Sequence, residues 1–136
     1  MIVAMLLAVA LHASLDAESR EHHCADPQNQ MDMNACAGID FARADAELNA
    51  LWRGAIAEAR SVDREFRTFP GHDDRPGSET VLRNAQRAWL IFRDAHCTFE
   101  GYEARGGSME PMLYNGCRAR ITRDRIAQLR PAPSER

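Results

Sequence analysis

The sequence predicts an all-α fold: a small, disulfide-stapled bundle of about three main helices, preceded by an extended N-terminal arm. Three observations predict it. Apolar residues recur at three-and-four spacing in three separate segments. No run alternates apolar and polar residues as a half-buried strand would. Four cysteines, Cys24, Cys36, Cys97 and Cys117, sit in a chain of 136 residues, an even number that suggests two bridges in a small exported domain.

The chain opens on an apolar run, Ile2 to Leu11. It has the size of a signal-peptide core and is too short to span a bilayer. Small residues follow at Ala13, Ser14 and Ala17, so residues 1–17 read as a signal peptide and residues 18–136 as one helical domain with its ordered core at about 24–130. No Lys or Arg precedes the run, and a buried first helix is the alternative. Export to the periplasm or beyond is the preferred reading. Cys24 follows Glu21-His22-His23 rather than small apolar residues, which is not the setting of a lipidated cysteine. No stable membrane insertion is therefore expected once the signal is removed.

From Glu18 to Ala25 the chain is polar and without period, an arm tied down by Cys24. Asp26-Pro27 reads as a helix start, with Asp as cap and Pro in the first turn. Met33, Ala37, Phe41, Ala44, Leu48, Leu51, Ala55 and Ala59 then step by four or three, giving a first helix from about Pro27 or Asp32 to about Arg60 or beyond. Residues 61–78 have the weakest pattern, and Pro70 to Gly77 is a loop on composition. Ser78 is a suitable N-cap for a second helix from about Glu79 to Tyr102. Its expected inner face is Leu82, Ala85, Trp89, Phe92 and Phe99, with Trp89 at the centre of the core. Gly106-Gly107 breaks the helix, and Ser108 can cap a third with Pro111 in its first turn. The inner face there is Leu113, Cys117, Ile121, Ile126 and Leu129, and Pro131 ends it.

An up-down-up bundle brings the start of the first helix, the end of the second and the middle of the third to one level. Cys36, Cys97 and Cys117 then lie near one another, with the arm carrying Cys24 alongside. This geometry does not choose among the three pairings; Cys24–Cys97 with Cys36–Cys117 is preferred.

Composition narrows the function classes. With 45% hydrophobic and 27% charged residues the chain is an ordinary globule, and a net charge of −3 offers no basic field for nucleic acid. All 17 basic residues are arginine, which reads mainly as a coding bias, although arginine also favours planar, bidentate ion pairs. Cysteine spacings of 12, 61 and 20 contain no CxxC, against a zinc site or a thioredoxin-like motif. His22-His23-Cys24 and His72-Asp73-Asp74 lack a complete metal-ligand set. His96 and Cys97 are consecutive on a helix and point about 100° apart, so they cannot pair as base and nucleophile. Glu100 and Glu103 share a helix face but read as surface carboxylates, not a glycosidase pair. Neither a phosphate loop nor a nucleophile elbow is present. Asp45 flanks the stripe of the first helix, and Arg87, Arg93 and Asp94 flank that of the second. An Asp–Arg pair between helices is expected, with a role in register rather than catalysis. The chain reads as a non-enzyme without a cofactor.

Several stretches resemble the LprI-type lysozyme inhibitor family when taken together. They are Met33-Asn34-Ala35-Cys36-Ala37, then Ala44-Asp45 with Leu48-Asn49. Ala85-Gln86-Arg87-Ala88-Trp89 follows, continuing through Phe92-Arg93-Asp94 to Cys97. Gly106-Gly107-Ser108-Met109 comes last, with Cys117, Thr122, Arg125 and Leu129 beyond it. The resemblance spans about Cys24 to Arg130. It implies a helical, disulfide-bonded envelope protein and, beyond that, inhibition of lysozyme to protect peptidoglycan. A periplasmic interaction module without that activity is the alternative. The shared residues, among them Asn34, Asp45, Gln86, Arg93, Asp94 and Thr122, look structural and do not mark an inhibitory surface. An inhibitor should offer an acidic or hydrogen-bonding projection to a basic cleft. The loop with His72, Asp73 and Asp74 is the first candidate, and Glu100, Glu103 and Glu110 around Gly106-Gly107 the second. The oligomeric state is not set by the sequence.

Overall fold

The computed structural model describes residues 24–130. The predicted signal segment and most of the predicted arm lie outside the described residues, as does the tail from Pro131. Three long helices pack up-down-up: α1 (Gln30–Arg67), α2 (Ser78–Gly101) and α3 (Glu110–Leu129). A single 3₁₀ turn, Tyr102–Ala104, links α2 towards α3, and no strand occurs among the described residues.

Helix α1 starts at Gln30, between the two starts, Pro27 and Asp32, that the sequence offers. Asn29 is its cap, accepting from the Asp32 backbone N–H at 2.9 Å. The helix also runs a further two turns beyond Arg60, to Arg67. Its buried positions Ala44, Leu48, Ile56 and Ala59 lie on or beside the stripe read from the sequence. The α1–α3 interface is the largest of the three, and α1–α2 the smallest.

Helix α2 begins at Ser78, but Ser78 is not its cap. Gly77 occupies that position, and the cap comes from a different helix: the Asp63 carboxylate accepts from the backbone N–H groups of both Ser78 and Glu79. A carboxylate there also faces the positive end of the helix dipole. Gly77 is required by this contact, since a Cβ would come within 2.8–2.9 Å of the Asp63 carboxylate. Substituting D63A is expected to lower stability by about 1–2 kcal/mol. In hydrogen exchange, the Ser78 and Glu79 amides should lose protection before the rest of α2.

The inner face of α2 differs from the expected one. Ala85, Phe92 and Phe99 are exposed, the two phenylalanines by 56% and 75%. The inward line is Leu82, Gln86, Trp89, Arg93, Cys97 and Gly101. The two lines share Leu82 and Trp89 and part company beyond them. The hydrophobic residues favour one rotation of the helix, but Cys97 must face Cys117, and this turns Arg93 inward and Phe92 outward. Trp89 is accordingly not the core's centre. Cys97, Cys117 and Ile121 form the buried cluster, and Trp89 and Tyr114 pack against it, partly covered.

The disulfides join Cys24 to Cys36 and Cys97 to Cys117, which corrects the pairing preferred from the sequence. The preferred pairing fails on level and facing. Gly38 lies beside Asn115, so Cys36 sits about a turn short of Cys117. Cys97 and Cys117 are both buried in the α2–α3 interface, leaving Cys36 to hold the incoming arm.

Helix α3 starts at Glu110 with Met109 at its cap position and Pro111 in the first turn; Ser108 does not cap it. The preceding turn uses Gly106 at φ +76°, a conformation that side chains resist. Cys117, Ile121 and Ile126 are buried as expected, joined by Ala119 and Thr122.

Candidate functional site

A polar clamp lies at the centre of the bundle. Arg93 is only 4% exposed, and its guanidinium lies about 5 Å from the ring centroids of Phe41 and Trp89. It donates to Asp45 of α1 at 3.2 Å, to Asp94 at 2.9 Å and to Thr122 of α3 at 3.4 Å. One side chain thus ties all three helices. Arg118 lies over the Phe41 ring, 3.7 Å from its centroid, and its Nε is 3.4 Å from Asp94. Arg125 reaches over from α3 to donate to Gln86 at 3.0 Å, and burial lowers its pKa from the usual guanidinium value.

The clamp gathers most of the motif residues: Asp45, Gln86, Trp89, Arg93, Asp94, Thr122 and Arg125. Leu48 is buried beside it, and Asn49 donates to Asp45 from the outer turn of α1. Arg87 stays on the surface with Asn84 of its own helix. Asn34 stands apart, donating to the Ser108 carbonyl at 2.8 Å and pinning the α2–α3 connection to α1. The Thr122 hydroxyl, the one potential nucleophile of the clamp, is completely buried and accepts from the Arg93 guanidinium. This arrangement orients helices.

The α1–α2 loop forms one end of the molecule. Phe66 and Phe69 stack at 6.2 Å, 41% and 59% exposed. Asp73 turns back onto Arg75, accepting from its backbone N–H at 3.0 Å and its side chain at 2.8 Å. Those bonds hold the Asp73 carboxyl below its ordinary pKa. Asp74 is exposed, and the His72 ring turns to the Phe69 carbonyl, so His72, Asp73 and Asp74 do not converge as a ligand set. Beneath the loop Glu79 accepts from Arg60 and Arg83, which bring its carboxyl down to about 2. Val62, Phe66, Pro76 and Val81 line an open depression of about 350 Å³ beside Asp73 and Arg75. Next to it, between the three helices, Leu51, Ala55, Leu82 and Leu129 line an apolar groove of about 650 Å³.

At the opposite end the second group of carboxylates is largely engaged. Glu100 bonds Arg120 at 2.7 Å and Glu110 accepts from the Gly106 N–H at 2.7 Å, while Glu103 is exposed. His96, Glu100 and Cys117 bring possible metal-ligand atoms within 4.8 Å of one another. The Cys117 sulfur is committed to Cys97, so this is not a metal set.

Asp63 and Arg118 are the working residues that sequence reasoning missed. Asp63 caps a helix fifteen residues away, a relation without local signature. Arg118 sits next to a cysteine on an inward turn, which was the one available hint.

A family model described as "Lysozyme inhibitor LprI" matches residues 22–129. A protein of Rhizobium meliloti (strain 1021), described as uncharacterized, is 43% identical over 129 residues, covering 93% of this chain and 90% of its own. No solved structure matches significantly.

Proposed function

Because this chain belongs to the LprI lysozyme inhibitor family, we propose that it is an exported bacterial envelope protein that binds lysozyme and so protects peptidoglycan. The observation that carries this reading is the family match over residues 22–129, which takes in the whole stapled bundle. No helix among the described residues is long and apolar enough to cross a membrane. Function by binding also agrees with the chemistry of the interior, where the polar residues serve geometry.

The contact surface in this proposal is the α1–α2 loop. It projects from one end of the bundle, combines exposed Phe69 and Asp74, and can enter a basic cleft without rearranging the helices. Asp73 is less available because Arg75 holds it, so Asp74 carries most of the attraction.

The test is titration of the oxidised mature protein against c-type lysozyme while following lysis of a peptidoglycan suspension. Inhibition is expected to saturate near one equivalent and to vanish on reduction of the bridges. A folded, oxidised sample that leaves lysis unchanged overturns the proposal. The D73N/D74N double variant is expected to weaken binding on the order of threefold to tenfold, mainly through slower association and a flatter salt dependence. Unchanged affinity would remove the loop from the contact surface.

A further inference from the structure

The outward face of α2 carries a second stripe, and its spacing is that of a coiled coil. Val81, Ala85, Ala88, Phe92, Ala95 and Phe99 follow one another by four, three, four, three and four residues, and all are exposed. Tyr102 continues the pattern one step past the helix, 45% exposed. A strict alternation of four and three over three heptads is the seam of two supercoiled helices. Among the described residues only the His96 ring packs on it, stacked on Phe92 at 5.3 Å, and no other helix covers the stripe. The charged residues of α2, such as Glu79, Arg83, Arg87 and Asp94, lie on other faces; one flank, Asn84, Ile91 and Thr98, is uncharged, and the other runs Leu82, Trp89 and His96 to the exposed Glu103 beyond the helix.

We propose that this stripe is the dimer interface of the protein, and that its occupant is the same stripe of a second copy in antiparallel orientation. Three features select a second copy. The seam is complementary to itself: about a two-fold axis between residues 93 and 94, Phe92 meets Ala95 of the second copy, Phe99 meets its Ala88, and Ala85 meets its Tyr102. Each large ring faces a small residue, the arrangement that lets two helices interlock. A parallel pair would stack Phe92 on Phe92 and alanine on alanine, leaving layers too wide and too narrow in turn.

The area is sufficient as well. Taking about 200 Å² for a fully exposed aromatic side chain, the exposed parts of Phe92, Phe99 and Tyr102 amount to roughly 350 Å². Val81, Ile91 (72% exposed) and the alanines bring each copy to about 600 Å² and the pair to about 1,200 Å², above the roughly 1,000 Å² expected of a specific interface. The seam also lacks the charge that would recruit a basic enzyme, so it is a poor fit for lysozyme. An isologous pair built this way places the two α1–α2 loops at opposite ends.

Sedimentation equilibrium of the oxidised mature chain tests the proposal, with F92E and F99E as variants and R87E as a control on the charged face. The expected result is a concentration-dependent dimer in the native protein and in R87E. Each seam variant should raise the dissociation constant on the order of 100-fold or more. Both phenylalanines are exposed, so helicity and disulfide content should stay unchanged and show that the monomer still folds. A native protein that stays monomeric at millimolar concentration overturns the proposal, as does a dimer that survives both substitutions. If F99E instead abolishes lysozyme binding while the native chain is monomeric, the seam belongs to the partner enzyme and the proposal fails.

Discussion

Replacing Arg93 with alanine is expected to destabilise the bundle by about 2–4 kcal/mol. The guanidinium lies between two aromatic rings and bonds side chains on α1, α2 and α3. Alanine removes the cation, leaves a cavity against Phe41 and Trp89, and strands Thr122, which is completely buried. The figure stays below the largest buried-pair effects because Asp45 and Asp94 are 38% and 48% exposed and regain water. R93M separates the contributions: its side chain still fills the space between the rings, so about half of the loss should return. Urea unfolding followed by far-UV circular dichroism measures both. If R93A and R93M fall together, the charge matters and the packing does not; if R93A costs less than about 1 kcal/mol, the clamp is not a principal stabiliser of the fold.

Removing the inner bridge should have a comparable effect. The C97A/C117A protein is expected to lose about 3–5 kcal/mol, and the C24A/C36A protein about 2–3 kcal/mol. Chain entropy alone makes the two nearly equal, since the bridged residues are separated by 20 and 12 positions and the dependence on loop length is logarithmic. Burial makes the difference. Cys97 and Cys117 are 0% and 2% exposed and form the core cluster with Ile121, so their removal also leaves a void. Cys36 is only partly buried. The comparison is between the denaturant midpoints of the two double variants, and the reverse order would show that the arm matters more than the core.

Much of the architecture was legible in the sequence because long amphipathic helices announce themselves by period. The inner faces of α1 and α3, the break at Gly106-Gly107 and Pro111 in the first turn of α3 all follow from local pattern. The rotation of α2 was not legible. Two stripes overlap on that helix, and the more hydrophobic one faces outward. What decides between them is the Cys97–Cys117 bridge and the Arg93 clamp, both of which involve residues on other helices. The disulfide pairing was lost for a related reason: placing cysteines at one level does not say which way each one faces. On the site side, Asp45, Arg93 and Asp94 could be marked as an interhelical set because charges beside an apolar stripe need partners. The Asp63 cap could not, because a carboxylate and the amides it holds share no sequence relation.

Both bridges lie towards the end of the bundle where α2 meets α3. Cys36 is in the second turn of α1, Cys97 in the last turn or two of α2, and Cys117 in the second or third turn of α3. The other end, with the last turns of α1, the 68–77 loop and the start of α2, has no bridge and is held chiefly by Asp63 on its two amides and Glu79 between two arginines. One bridge staples α2 to α3 and the other ties the incoming arm to α1, so α1 and α2 are joined covalently only through the 68–77 loop. Under oxidising conditions a local opening at this loop end is expected to cost less than parting α2 from α3 at their bridge. The surface best able to adapt its shape to a partner is thus at the end where adaptation endangers the fold least.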